Sequence, residues 1–154
     1  MTTLRIYVFL LGTLALGEMA NAGTKTKCEV VRALRIENVP NSDMRDWLCL
    51  VNHESGYQYD IVHENTDGSK DYGIYQLNDN YWCDQGDTKY SSCWQINTFG
   101  CGYQCSDFTN SAIAWDTDCA VKIKNCNSFS KWRAWQVHCQ GDLTTNPDYD
   151  FSHC

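Results

Sequence analysis

The chain has 154 residues, with 12 Lys and Arg against 19 Asp and Glu, a formal net charge of -7 at pH 7, and ten cysteines. That length suits one domain with a modest core, and the acidic balance excludes a protein that grips nucleic acid through clustered Lys and Arg. Ten cysteines in so small a chain predict a disulfide framework made in an oxidising compartment.

Arg5 precedes an apolar run, IYVFLLGTLALG, and Ala20-Asn21-Ala22 offers a small-residue cleavage site. Residues 1–22 therefore read as a secretory signal peptide, with Gly23 as the mature N-terminus. The run is too short to span a bilayer and no later stretch is apolar enough to do so. A secreted, extracellular protein with no membrane association is expected. Arg5 and Glu18 cancel, so the mature chain keeps the charge of -7.

Val30, Val31, Ala33 and Leu34 predict a short first helix that ends before Pro40. From Ser42 to Glu54 the apolar residues Met44, Trp47, Leu48 and Val51 recur at i, i+3, i+4 and i+7, the stripe of an amphipathic helix. Ser42 or Asp43 is placed to cap it. Glu54 lies three residues beyond Val51 and seven beyond Trp47, so it projects from the apolar stripe. A carboxyl there loses hydration, which raises its pKa and suits a general acid at near-neutral pH. A solvated carboxylate at a frayed helix end is the plainer alternative.

A small three-stranded sheet is predicted from about Gln58 to Leu77. Asn65-Thr66-Asp67-Gly68-Ser69 is turn chemistry, and Tyr72, Ile74 and Gln76 alternate with Gly73, Tyr75 and Leu77 as in a short strand. Asp71 then begins the second strand of a hairpin. Asn65, Ser69, Gln76 and Asn78 supply hydrogen-bonding groups around it that favour the ionised form. One carboxyl in an apolar setting and one in a polar setting is the split that glycoside hydrolysis uses.

The rest reads as a cysteine-rich loop from Cys83 to Cys105, a helix from Ala112 to Lys124 with Ile113, Ala120 and Ile123 on one side, and a short helix marked by Trp132 and Trp135, the latter in the core. No metal is expected. The alternating Asn65, Asp67, Ser69 and Asp71 fail as an EF-hand loop, with Lys70 where glycine is required and Gln76 where a bidentate Glu belongs. Cys101 and Cys105 lack the partners of a zinc site. His53, His63, His138 and His153 form no metal pattern and read as surface or structural groups.

Cys49 through Glu54, followed by NTDGSKDYGIYQLNDNYWC from Asn65 to Cys83, resembles the active-site region of the C-type (chicken-type) lysozymes, in particular the arthropod members. The resemblance runs from about Cys28 to Cys154. It implies an α+β fold of two lobes over residues 23–154, one helical and one bearing a small antiparallel sheet, with a cleft between them. It further implies the pairs Cys28 with Cys154, Cys49 with Cys139, Cys83 with Cys105, and Cys101 with Cys119. Cys93 and Cys126 are left over; their even number suggests a fifth bridge, with two free thiols as the alternative.

The same resemblance makes Glu54 and Asp71 the catalytic pair, a family that is itself the type case for this chemistry. Tyr81, Trp82 and Trp132 fall on positions that line the sugar cleft, Trp132 against Glu54, and Asn65, Gln76 and Asn78 join them as substrate-binding candidates. Aromatic faces suit the apolar faces of pyranose rings, and a Trp ring N–H gives a directional contact. The implied activity is cofactor-free hydrolysis, with retention of configuration, of the β-1,4 bond between N-acetylmuramic acid and N-acetylglucosamine in bacterial cell-wall peptidoglycan, by a monomer. The rival is a non-catalytic lysozyme-like protein that binds glycans; such relatives typically lose one carboxylate, and this chain keeps both. An extracellular interaction module would explain the cysteines but not the carboxylates.

Overall fold

The computed structural model describes residues 23–154, so the predicted signal segment lies outside the described residues. Helix α1 (Lys27–Ile36) opens with a reciprocal cap: the Glu29 backbone N–H donates to Thr26 Oγ1 at 3.3 Å, and the Thr26 N–H donates to Glu29 Oε2 at 2.9 Å. Its apolar stripe buries Val30, Val31 and Leu34.

Helix α2 (Met44–Ser55) buries Met44, Trp47, Leu48 and Val51. Neither Ser42 nor Asp43 caps it, which corrects the sequence reading. A single 3-10 turn, Asn41–Asp43, leads into the helix with Asp43 already in helical conformation, and the Asp43 carboxylate instead pairs with Lys124. The helix ends at Gly56, whose φ of 58° is the left-handed conformation that stops a helix. In its last turn Ser55 is buried and donates to the carbonyl of Ile74 at 2.8 Å, tying the end of α2 to the chain that follows the sheet's second strand.

The sheet is antiparallel in the order β1 (Val62–Glu64), β2 (Lys70–Tyr72), β3 (Leu77–Asn78). Asp71 pairs with His63 on one side and Asn78 on the other. The strand predicted to run on through Ile74 and Gln76 does not form, because residues 73 to 76 are a turn. Gly73 (φ 70°) and Gln76 (φ 50°) both take positive φ, and the Gln76 N–H donates to Gly73 O at 3.1 Å. Ile74 and Tyr75 are consecutive and both fully buried, which a strand's alternation forbids. Only glycine fits at 73, since a Cβ there would lie 2.0 Å from the Phe108 carbonyl oxygen.

Helix α3 (Cys93–Phe99) stands within the segment read as a loop. Helix α4 (Ala114–Asn127) begins two residues after Ala112, buries Ala120 and Ile123, and has buried Ile113 as its leading residue. Helix α5 (Arg133–His138) holds Trp135 but not Trp132, whose extended backbone precedes it. Trp135 is half-buried; its ring stacks on Phe129 at 5.4 Å and its Nε1–H donates to Asp46 Oδ1 at 2.8 Å. At the core's centre, Trp47 meets Tyr75, Phe129 and Trp132 edge-on at 5.6, 4.9 and 5.9 Å. Five disulfides cross-link the described chain: Cys28–Cys154, Cys49–Cys139, Cys83–Cys105, Cys93–Cys126 and Cys101–Cys119.

Candidate active site

Glu54 leaves the last turn of α2 beside the buried stripe, and Asp71 leaves the middle of β2. Both line one cleft of about 600 Å³, together with Gln76, Asn78, Tyr81, Trp82 and Trp132. The Ser55 bond to Ile74 joins the two carriers, so the helix end and the turn after β2 hold their relative position.

The two carboxyls have opposite surroundings. Burial raises the Glu54 pKa to about 7; a backbone hydrogen bond from Ala134, at the start of α5, works against that shift, and the negative charge of Asp71 adds to it. Asp71 accepts Asn65 Nδ2–H on Oδ2 at 2.9 Å and Asn78 Nδ2–H on Oδ1 at 2.7 Å. The same two amides reach Ser69 Oγ at 3.2 and 3.1 Å, and Ser69 in turn donates from N and Oγ to Asp67 at 3.0 and 2.7 Å. The turn at Asp67 and Gly68 thus builds a polar cradle under Asp71.

The predicted cleft residues divide by how they are placed. Asn65 supports Asp71 and is not among the residues lining the cleft. Gln76 lines the cleft but leaves Asp71 alone, its amide donating instead to Gly73 O at 2.8 Å. Trp132 is only 5 % exposed, and its Nε1–H is spent on Tyr75 O at 3.0 Å, so its ring lines the cleft without offering that donor to a ligand. Tyr81 is 63 % exposed, with its ring 6.2 Å from that of Trp82. These two present the open aromatic surface.

Four cleft residues were absent from the sequence reading: Asn97, Asn127, Lys131 and Arg133. Lys131 and Arg133 flank Trp132, and a basic pair around a candidate sugar-stacking Trp in an acidic chain was a usable signal. Asn97 had none, because its segment carries no apolar stripe. Two of the four histidines read as surface or structural groups form a compact pair: His53 and His138 stack 4.2 Å apart, and the Tyr149 hydroxyl lies 3.3 Å from His53 Nε2. Burial and the neighbouring His138 lower the His53 pKa. Among the described residues the one cluster of potential metal-ligand atoms is Cys28, His153 and Cys154, whose sulfurs are already bonded to each other.

Known proteins resemble the chain over most of its length. The chain is 36 % identical over 150 residues to a lysozyme of Bombyx mori, covering 97 % of this chain and 98 % of that one. It is 36 % identical over 137 residues to lysozyme c-1 of Anopheles gambiae, covering 89 % and 91 %. The crystal structure of lysozyme from Equus asinus superimposes with a TM-score of 0.63 at 29 % identity, over 79 % of this chain and 93 % of that one. The model of the C-type lysozyme/alpha-lactalbumin family matches residues 23–149, and the chain belongs to that family.

Proposed function

We propose that this protein is a secreted glycoside hydrolase that cleaves the β-1,4 bond between N-acetylmuramic acid and N-acetylglucosamine in bacterial peptidoglycan, with retention of configuration. The observation that carries the reading is the pair of unlike carboxyls in one cleft: Glu54 is desolvated with its pKa near 7, while two side-chain amides hold Asp71. Relatives named lysozyme over nearly the whole chain support lysozyme activity.

Glu54, protonated, gives its proton to the leaving glycosidic oxygen as the bond to the anomeric carbon breaks. Asp71, as the nucleophile, meets the oxocarbenium-like sugar on the opposite face and forms the glycosyl-enzyme bond. Glu54, now a carboxylate, takes a proton from water, whose oxygen attacks the anomeric carbon and releases Asp71. The Asn65 and Asn78 amides hold Asp71 on its strand in the orientation this attack needs. Tyr81 and Trp82 offer ring faces to the sugars. The protein acts as a monomer without a cofactor, and it leaves the cell after loss of residues 1–22.

Clearing of a Gram-positive cell-wall suspension tests the assignment. Glu54→Gln keeps the shape and removes the acid, so lysis falls by at least about 100-fold, and Asp71→Asn loses most activity while both variants keep their thermal midpoint. Lysis by Glu54→Gln equal to that of the parent removes the assignment. A parent that binds the wall polymer but never clears it makes the protein a glycan binder.

A further inference from the structure

The cleft has one polar end built from two helices that the catalytic chemistry does not use. Asn97 comes from α3 and Asn127 from the last turn of α4, and both line the cleft. Asn127 Nδ2 donates to Asn97 Oδ1 at 2.7 Å and to Ile123 O at 3.2 Å, which occupies both of its N–H groups. Two groups remain without a hydrogen-bond partner among the described residues: the N–H pair of Asn97 and the carbonyl oxygen of Asn127. They form a donor beside an acceptor.

A secondary amide offers the complement, a carbonyl oxygen to receive the donor and an N–H to meet the acceptor. On an N-acetylated sugar that group is the acetamido substituent. Next to this pair lies a surface suited to the sugar ring itself. The end of α3 is fastened to the segment bearing Tyr81 and Trp82, with the Cys101 N–H donating to Trp82 O at 3.0 Å and no room for a side chain at Gly100 against the Tyr81 and Trp82 backbone. The other end of α3 is bonded to α4 through Cys93–Cys126, the bridge outside the eight-cysteine family pattern. Asn97 follows Cys93 by one helical turn and Asn127 follows Cys126 directly, so the bridge sets the spacing of the two amides before any ligand arrives.

We propose that the Asn97–Asn127 pair is a recognition site for the acetamido group of an N-acetylhexosamine, and that α3 is an added wall of the cleft which determines how strongly the enzyme prefers N-acetylated strands. The proposal rests on the glycoside hydrolase reading and names one determinant of its specificity.

Calorimetric titration on the Glu54→Gln background, which does not turn substrate over, tests it. The ligands are the N-acetylglucosamine hexamer and the same hexamer partly de-N-acetylated. Asn97→Ala and Asn97→Asp remove the free donor from an exposed helix position. Each weakens the fully acetylated hexamer about fivefold and lowers the preference for it over the partly de-N-acetylated one. Equal weakening of both ligands, or none, overturns the proposal, with unchanged near-ultraviolet dichroism showing that α3 is still in place. If the Glu54→Gln parent binds neither hexamer, the hydrolase reading itself has failed, an outcome separate from the first two.

Discussion

Asp116 is fully buried, and neither of its carboxylate oxygens has a side-chain partner at hydrogen-bonding distance among the described residues. It lies behind the turn that follows Asp71, since a Cβ at Gly73 would come within 2.5 Å of its Oδ1. Burial raises its pKa to about 8, with backbone N–H groups of Asp116 and Ile74 partly offsetting that and the charge of Asp107 adding to it. A carboxyl whose pKa is raised by folding favours the folded state below its ordinary pKa of 3.8 and loses that contribution as pH climbs to about 8. Glu54 acts in the same direction between 4.5 and about 7. Stability should therefore decline from pH 4 to pH 8. Asp116→Asn, which cannot ionise, should raise the thermal midpoint at pH 8 by about 5 °C and leave it nearly unchanged at pH 4, as calorimetry across pH will read. An equal shift at both pH values would mean that ionisation of Asp116 is not the cause. The setting of Asp71 was legible in the sequence because its amide neighbours, Asn65 and Asn78, lie within seven positions of it along the chain. Asp116 was not, because its burial depends on a glycine 43 positions earlier that leaves room for nothing else.

Among the elements, α3 is seven residues long with only Ile96 buried, too short to persist as an isolated helix. Its first residue is held covalently to α4 by the Cys93–Cys126 bridge, which closes a loop with a sequence separation of 33. Replacing both cysteines by serine should cost about 2–4 kcal/mol. Amide hydrogen exchange should then quicken over residues 93–99, while α2 and α4 stay protected through the other four bridges. Loss of protection spread evenly over the molecule would show that the bridge supports the whole fold and not this helix. The history of the elements explains what periodicity could reveal. Helices α1 and α2 carry buried stripes and were readable. The turn at 73–76 buries two successive residues against the helical lobe, and two apolar neighbours beside a tyrosine imitate a strand. In α3, Gln95, Asn97 and Thr98 leave no stripe to detect, so the Asn97 side of the cleft stayed invisible until the chain was seen folded.

At the scale of the whole molecule, charge and the site's acidity point the same way. A net charge of -7 repels anionic wall polymers near neutral pH over about 8 to 10 Å at moderate ionic strength. Acidification protonates surface carboxylates and relaxes that repulsion, and Glu54 holds its proton below about 7. Lysis should peak on the acid side of neutrality, and moderate salt should raise it at neutral pH by screening. Turbidity measured over a grid of pH and salt checks both; an optimum above pH 7, or steady decline with salt at neutral pH, would show that surface charge does not set the working conditions. Composition gave this charge directly, and the resemblance gave the two-lobed plan, whereas the depth of Glu54 had to come from the folded lobes. Durability follows from the bridge between Cys28 and Cys154. It turns everything between those two residues into a covalent ring, with the other four bridges lying inside its circumference. A protease that nicks the ring once opens it without freeing a fragment. The folded chain thus keeps all its parts, cleft included, after a first cut in the ring that would divide an open chain in two.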